Sequence, residues 1–200
     1  MKQSLVLALA VVVAATLLVS RAEAARWRID AEGGAIVPTT DLQLTSGGPG
    51  ESLDAGGAFS VGGGFGVGDW VDLTAQFQSG FMDVSNFDAF LDLFSFTTGL
   101  RAYLTPPGLV RPWLIGQIGW YGADASFHSY YGYDHDHGYD HEHHHETDNS
   151  FGFNAGGGID FSINRRVSLG LDVRYHNAFD AFNGLEFVTT MIDVGIHFGP

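Results

Sequence analysis

Apolar and polar residues trade places at every second position through separate stretches of this chain, and any fold it adopts has to respect that alternation. In the first stretch Trp27, Ile29, Ala31, Gly33, Ala35 and Val37 share one face, and Arg28, Asp30 and Glu32 share the other. A period of two is what a half-buried β-strand displays, because successive side chains point to opposite faces of a sheet. The pattern returns from Phe59 to Val67, Val71 to Gln78, Phe94 to Leu104, Phe151 to Phe161, Val167 to Tyr175 and Val188 to Phe198. Trp113 to Gly122 makes an eighth strand, apolar on both faces except at Gln117, so its orientation stays open.

The connections between these strands alternate in length. Short turns lie at Gly68 to Trp70, at Thr105 to Arg111 with Pro106-Pro107-Gly108, and at Ser162 to Arg166. Long connections run from Pro38 to Asp54, Gly80 to Ala89, Ala123 to Ser150 and His176 to Phe187. Short and long connections alternating along an even number of strands predict an all-β, eight-stranded antiparallel transmembrane β-barrel over residues 25–200. Turns then gather at a periplasmic rim and four long loops at the surface. A soluble sandwich has no need of that alternation. In lipid the apolar faces must point outward, and closure pairs the backbone groups that hydrocarbon cannot.

An eight-stranded barrel has an interior just wide enough for side chains to fill. The inward face is read as Arg28, Arg101 and Arg174 with Asp30, Glu32, Asp72, Asp160, Asp172 and Asp193, plus Gln76, Gln78, Gln117 and Asn154. Each arginine is expected to fork onto carboxylates, because an unpaired charge there is costly. That makes the lumen a salt-bridge plug and disfavours a substrate-specific porin. Trp27, Trp70, Tyr103, Trp113, Phe161 and Phe198 all fall at strand ends of the periplasmic rim and are expected to form an aromatic girdle. Two glycine runs, Gly62-Gly63-Gly64-Phe65-Gly66 and Gly156-Gly157-Gly158, neither precede a helix nor lead to Lys-Ser/Thr, so they cradle no phosphate. Their place is in the strands, where missing side chains leave room for arginines and let the sheet bend.

Composition removes several classes. The formal charge of −14, from 9 basic and 23 acidic residues, excludes a nucleic-acid binder, which needs a basic face. With no cysteine there are no disulfides, thiolate nucleophiles or cysteine-bound zinc. At the N-terminus, Lys2, the apolar run from Leu5 to Val19 and the small residues around Ala22-Glu23-Ala24 read as a signal peptide over residues 1–24, which implies export.

Taken together, the exported chain resembles the small eight-stranded outer-membrane barrels of Gram-negative bacteria, of the OmpA and OmpX type. The likeness covers residues 25–200 and is carried most specifically by the terminal strand Met191 to Phe198, ended in that family by an aromatic residue that the barrel-assembly machinery reads. Phe198 fits, although Gly199 and Pro200 follow it. The resemblance implies a cell outer-membrane location, contact with outer-membrane lipid and lipopolysaccharide, and a structural or surface-interaction role whose surface partner is unspecified. Some barrels of this kind modify lipid A, and the deacylases carry a His-x-Ser pair on a late strand. Arg174-Tyr175-His176-Asn177 lacks that pair, and His176 with Asp180 has no serine nucleophile at motif spacing, so no enzyme is expected. His197 is expected in the lumen near the periplasmic rim, hydrogen-bonded and structural.

One segment stands apart. From Asp134 to Glu146 the third loop carries His135, His137, His141, His143, His144 and His145 with Asp134, Asp136, Asp140, Glu142 and Glu146. No cofactor is required by the fold, but imidazole mixed with carboxylate suits Zn, Cu or Ni, and the overlapping spacings predict several exchanging modes in place of one closed site. The same composition suits a solvated acidic loop, or one whose charge falls on mild acidification. Tyr130, Tyr131 and Tyr133, with His128, add rings suited to a contact surface.

Overall fold

The computed structural model of the chain describes residues 26–40, 53–83, 89–128, 143–179 and 184–199. The strands follow in order as β1 (Trp27–Pro38), β2 (Gly56–Gly66), β3 (Val71–Asp83), β4 (Ala89–Tyr103), β5 (Val110–His128), β6 (His143–Ser162), β7 (Val167–Ala178) and β8 (Leu185–Phe198). Each pairs antiparallel with the next, and β1 returns to β8 in a register running from Trp27 opposite Phe198 to Pro38 opposite Phe187. The sheet is therefore a closed barrel. The expected fold class is the one observed. The signal-peptide segment lies outside the described residues.

Period two sorts the side chains as a membrane barrel requires. Ile29, Phe59, Phe77, Phe96, Leu114, Ile118, Leu171 and Ile192 all face outward and are exposed, while the arginines, carboxylates and amides assigned above to the lumen are all buried. Exposed apolar side chains ringing the barrel are the lipid-facing band. Gln117 settles the open orientation of β5: it points inward with Trp113, Ile115 and Tyr121, and Leu114, Ile118 and Trp120 point out. The outward glycines Gly57 and Gly122 are roofed by rings from the neighbouring strand. Phe94 lies opposite Gly122 and its ring occupies the place where a Cβ of Gly122 would stand.

The girdle expectation needs correction. Trp27, Trp70, Phe161 and Phe198 are exposed at the turn rim, but Tyr103 and Trp113 are buried at 5% and 1% exposure. Parity explains it. Tyr103 is in phase with Arg101, and Trp113 with Gln117, so both rings enter the lumen whatever their affinity for an interface.

The strands also reach further toward the loops than the apolar pattern does. β5 and β6 contain 19 and 20 residues against 12 in β1 and 11 in β2. The β6–β7 ladder ends where Gly152 meets Ala178, whereas the β5–β6 ladder continues to His128 opposite His143. Residues 143–150 of β6 thus pair with β5 alone along a ribbon of roughly 27 Å at about 3.4 Å per residue.

Candidate functional site in the lumen and at the loop rim

The lumen is built in layers on inward parities of all the strands. Toward the turn rim, Arg28 donates to Asp30, Asp160 and Asp193. Its guanidinium gathers three carboxylates from β1, β6 and β8, each 6% or less exposed at the side chain. The Trp113 indole N–H donates to Asp160 Oδ1 at 2.9 Å, and the Tyr103 hydroxyl donates to Asp72 at 2.8 Å. So the two aromatic residues displaced from the girdle are hydrogen-bonded parts of the plug. Arg101 rests over the Trp113 ring at 4.3 Å with Asp30 3.7 Å away. This is the weakest-paired of the three luminal arginines.

Halfway up, Arg174 donates to Glu32 at 2.9 Å and also to Asp172 and Gln76. Glu32 accepts further bonds from Ser60 and Gln76, each at 2.7 Å. The glycines make room as expected. A Cβ on Gly156 would stand 2.9 Å from Arg174 Cγ, one on Gly158 2.5 Å from the Trp113 ring, and one on Gly170 2.8 Å from Asp193 Oδ2. Above this lies a polar layer in which Thr74, Gln117, Thr97, Asn154, Tyr121, His176 and Thr189 bond in sequence. His176 is 1% exposed and stacks on Phe187 with centroids 4.5 Å apart. It sits inside the barrel, away from the lipid face. Asp180 lies outside the described residues. His197 is half-buried near the turn rim, its Nε2 2.9 Å from the Ser168 hydroxyl.

The layer nearest the loops was not foreseen. Ile36, Ala58, Met82, Leu91, Leu93, Leu185, Phe187 and Met191 form an apolar cluster inside the barrel mouth. The signal was present as continuity of parity: Leu91 and Leu93 extend the face of Ser95 and Thr97, and Leu185 and Phe187 extend that of Thr189 and Asp193. Reading inward positions as polar hid it.

Of the histidine-rich segment, Asp134, His135, Asp136, His137, Asp140, His141 and Glu142 lie outside the described residues. His143, His144, His145 and Glu146 open β6, with backbones opposite His128, Phe127, Ser126 and Ala125. Among the described residues no three His, Asp or Glu come together to hold a metal ion. The charge layout is lopsided. The stretches 38–56, 80–93, 122–151 and 176–187, which include the sequence between β1 and β2, β3 and β4, β5 and β6, and β7 and β8, contain fifteen of the chain's carboxylates and not one lysine or arginine.

Comparison with known proteins bears on this geometry. The model of the family described as outer membrane protein beta-barrel domain matches residues 5–198. The chain belongs to that family. Among solved structures, the outer membrane protein beta-barrel resembles Neisserial surface protein A, with TM-score 0.60, 13% identity, and coverage of 88% of this chain and 100% of that one. It resembles Ail, the attachment invasion locus protein of Yersinia pestis, with TM-score 0.53, 15% identity, and coverage of 88% and 98%. A major outer membrane protein of Thermus thermophilus aligns with TM-score 0.51 at 11% identity over 87% and 99%. At such identities the likeness is one of fold. No curated protein matches the chain.

Proposed function

We propose that this outer-membrane barrel is a closed scaffold that presents an acidic contact surface to cationic partners outside the cell. The observation that carries the reading is the charge of the four long connections: fifteen carboxylates without a lysine or arginine. Opposite charge steers encounter and fixes register, while like charge excludes the wrong partner. Ail has been crystallised with the heparin analogue sucrose octasulfate, a polyanion. A loop side with no arginine or lysine offers a polyanion no cation to pair with, so a cationic partner is the class that fits here. The test places the barrel in nanodiscs of zwitterionic lipid and titrates it with a lysine-rich probe peptide and with sucrose octasulfate. Binding of the peptide alone, weakened by salt and by deletion of residues 134–146, is expected. Binding of sucrose octasulfate alone overturns the reading.

Divalent metal capture by Asp134 to Glu146 is a second proposal. It is supported by composition and by the β5–β6 register, which sets His143 across from His128. Calorimetric titration with zinc, copper and nickel, beside the same deletion, tests it. Saturable heat lost with the deletion is the expected result, and no loop-dependent heat sinks it.

A further inference from the structure

Outside the lumen, the cations among the described residues stand at the rim opposite the acidic loops. Beyond residue 24 there are seven arginines and no lysine: Arg28, Arg101 and Arg174 occupy the lumen, and Arg26, Arg111, Arg165 and Arg166 stand at the turn rim. The turn rim has one carboxylate of its own, Asp69, and that is paired with Arg26 at 3.1 Å. Arg111 donates to the Asp69 carbonyl at 2.7 Å and lies over the Tyr103 ring at 3.6 Å. Among the described residues Arg165 and Arg166 have no carboxylate partner, and both are exposed.

These two arginines are held in place by the turn they sit on. The Asn164 side-chain oxygen accepts from the Arg166 and Val167 backbone N–H groups at 2.7 and 3.0 Å. The neighbouring β4–β5 turn is stitched to the same place, with Ser162 donating from its backbone to Leu109 and from its hydroxyl to Gly108. Beside the arginines, apolar side chains stay exposed: Ile163 at 60% and Leu109 at 72%, continuing the lipid-facing column of Phe161 and Leu169. Guanidinium groups one step beyond an apolar band stand at the depth where a bilayer keeps its phosphates.

We propose that the turn rim binds the phosphodiester headgroups of anionic phospholipid in the facing leaflet, with Arg165 and Arg166 taking the phosphate and Ile163 and Leu109 seated against the acyl chains. Arginine forks onto phosphate oxygens, and a basic residue at an anionic membrane surface attracts it in a salt-sensitive way. The inference stands on the rim alone and is independent of what the loops contact.

Native mass spectrometry of the whole barrel released from nanodiscs of equimolar phosphatidylglycerol and phosphatidylcholine tests it. The unaltered protein is expected to retain phosphatidylglycerol adducts over phosphatidylcholine by about fivefold per rim arginine engaged. An Arg165→Gln, Arg166→Gln pair is expected to lose that preference, and an Arg165→Lys, Arg166→Lys pair to keep it. Equal retention of the two lipids, a preference untouched in the Gln pair, or one lost in the Lys pair overturns the proposal. Excess inorganic phosphate at matched ionic strength is expected to leave the adducts in place. Displacement by it means an ion site and no lipid site. Heat-modifiable gel migration reports folding of each variant, and deletion of residues 134–146 is expected to leave the lipid ratio unchanged.

Discussion

Gly33 and Gly156 are the same residue type in the same kind of strand, yet a methyl group has very different consequences at the two. At Gly156 a Cβ would stand 2.2 Å from the Val173 carbonyl oxygen and 2.7 Å from Arg174 Cα, backbone that cannot yield, whereas nothing lies within 4 Å at Gly33. Gly156→Ala is therefore expected to destabilise the barrel by about 1–3 kcal/mol and Gly33→Ala to be near neutral, as read by urea unfolding in detergent micelles. The luminal arginines divide in the same way. Arg28 holds three carboxylates, and Arg28→Met leaves them facing one another in a closed space, a loss of about 3–5 kcal/mol. Arg101, with one carboxylate at 3.7 Å and the Trp113 face, is expected to lose less than half of that when changed to Met. At this scale the polar lumen was legible because parity alone assigns it. At Tyr103 and Trp113 aromatic character points to the girdle and parity to the lumen, and parity prevails.

Among the strands, β5 is the instructive one. Its apolar character on both faces hid its orientation, and only the neighbours decide it: Gln117 bonds to Thr97 of β4 and Thr74 of β3 inside the lumen, which commits Ile118 to lipid. Ile118→Arg is expected to cost about 2–4 kcal/mol, the penalty of a cation on the lipid face near mid-depth, and the same unfolding titration checks it. Strand number and order were readable from alternation and turn chemistry. Strand ends on the loop side were not. Residues 147–150 of β6 read Thr-Asp-Asn-Ser, with no apolar partner face to mark them, and they are held by the ladder to β5. Backbone hydrogen bonds need no hydrophobic pattern, so a ribbon standing clear of the bilayer leaves little trace in periodicity.

Taken whole, the barrel is closed twice, by the ion-pair layers around Arg28 and Arg174 and by the apolar cluster at its mouth. Reconstituted in planar bilayers, it is expected to show no steady conductance. Discrete open-channel steps in the unaltered protein would contradict a packed lumen. Charge is arranged along the axis, with carboxylates alone toward the loops and arginines at the turns, and both proposals on partners follow from that separation. Alternation, turn spacing and loop composition already settled the eight strands, the faces of all but β5 and the acidic character of the loop side. These are local properties, because a period of two and a short turn act over neighbouring residues. Which carboxylates meet Arg28, why glycine stands at 156 and 170, and how the mouth is sealed were decided only on closure. Those contacts join residues as far apart as Arg28 and Asp193, brought together by the tilt and stagger of the strands, which no single segment encodes.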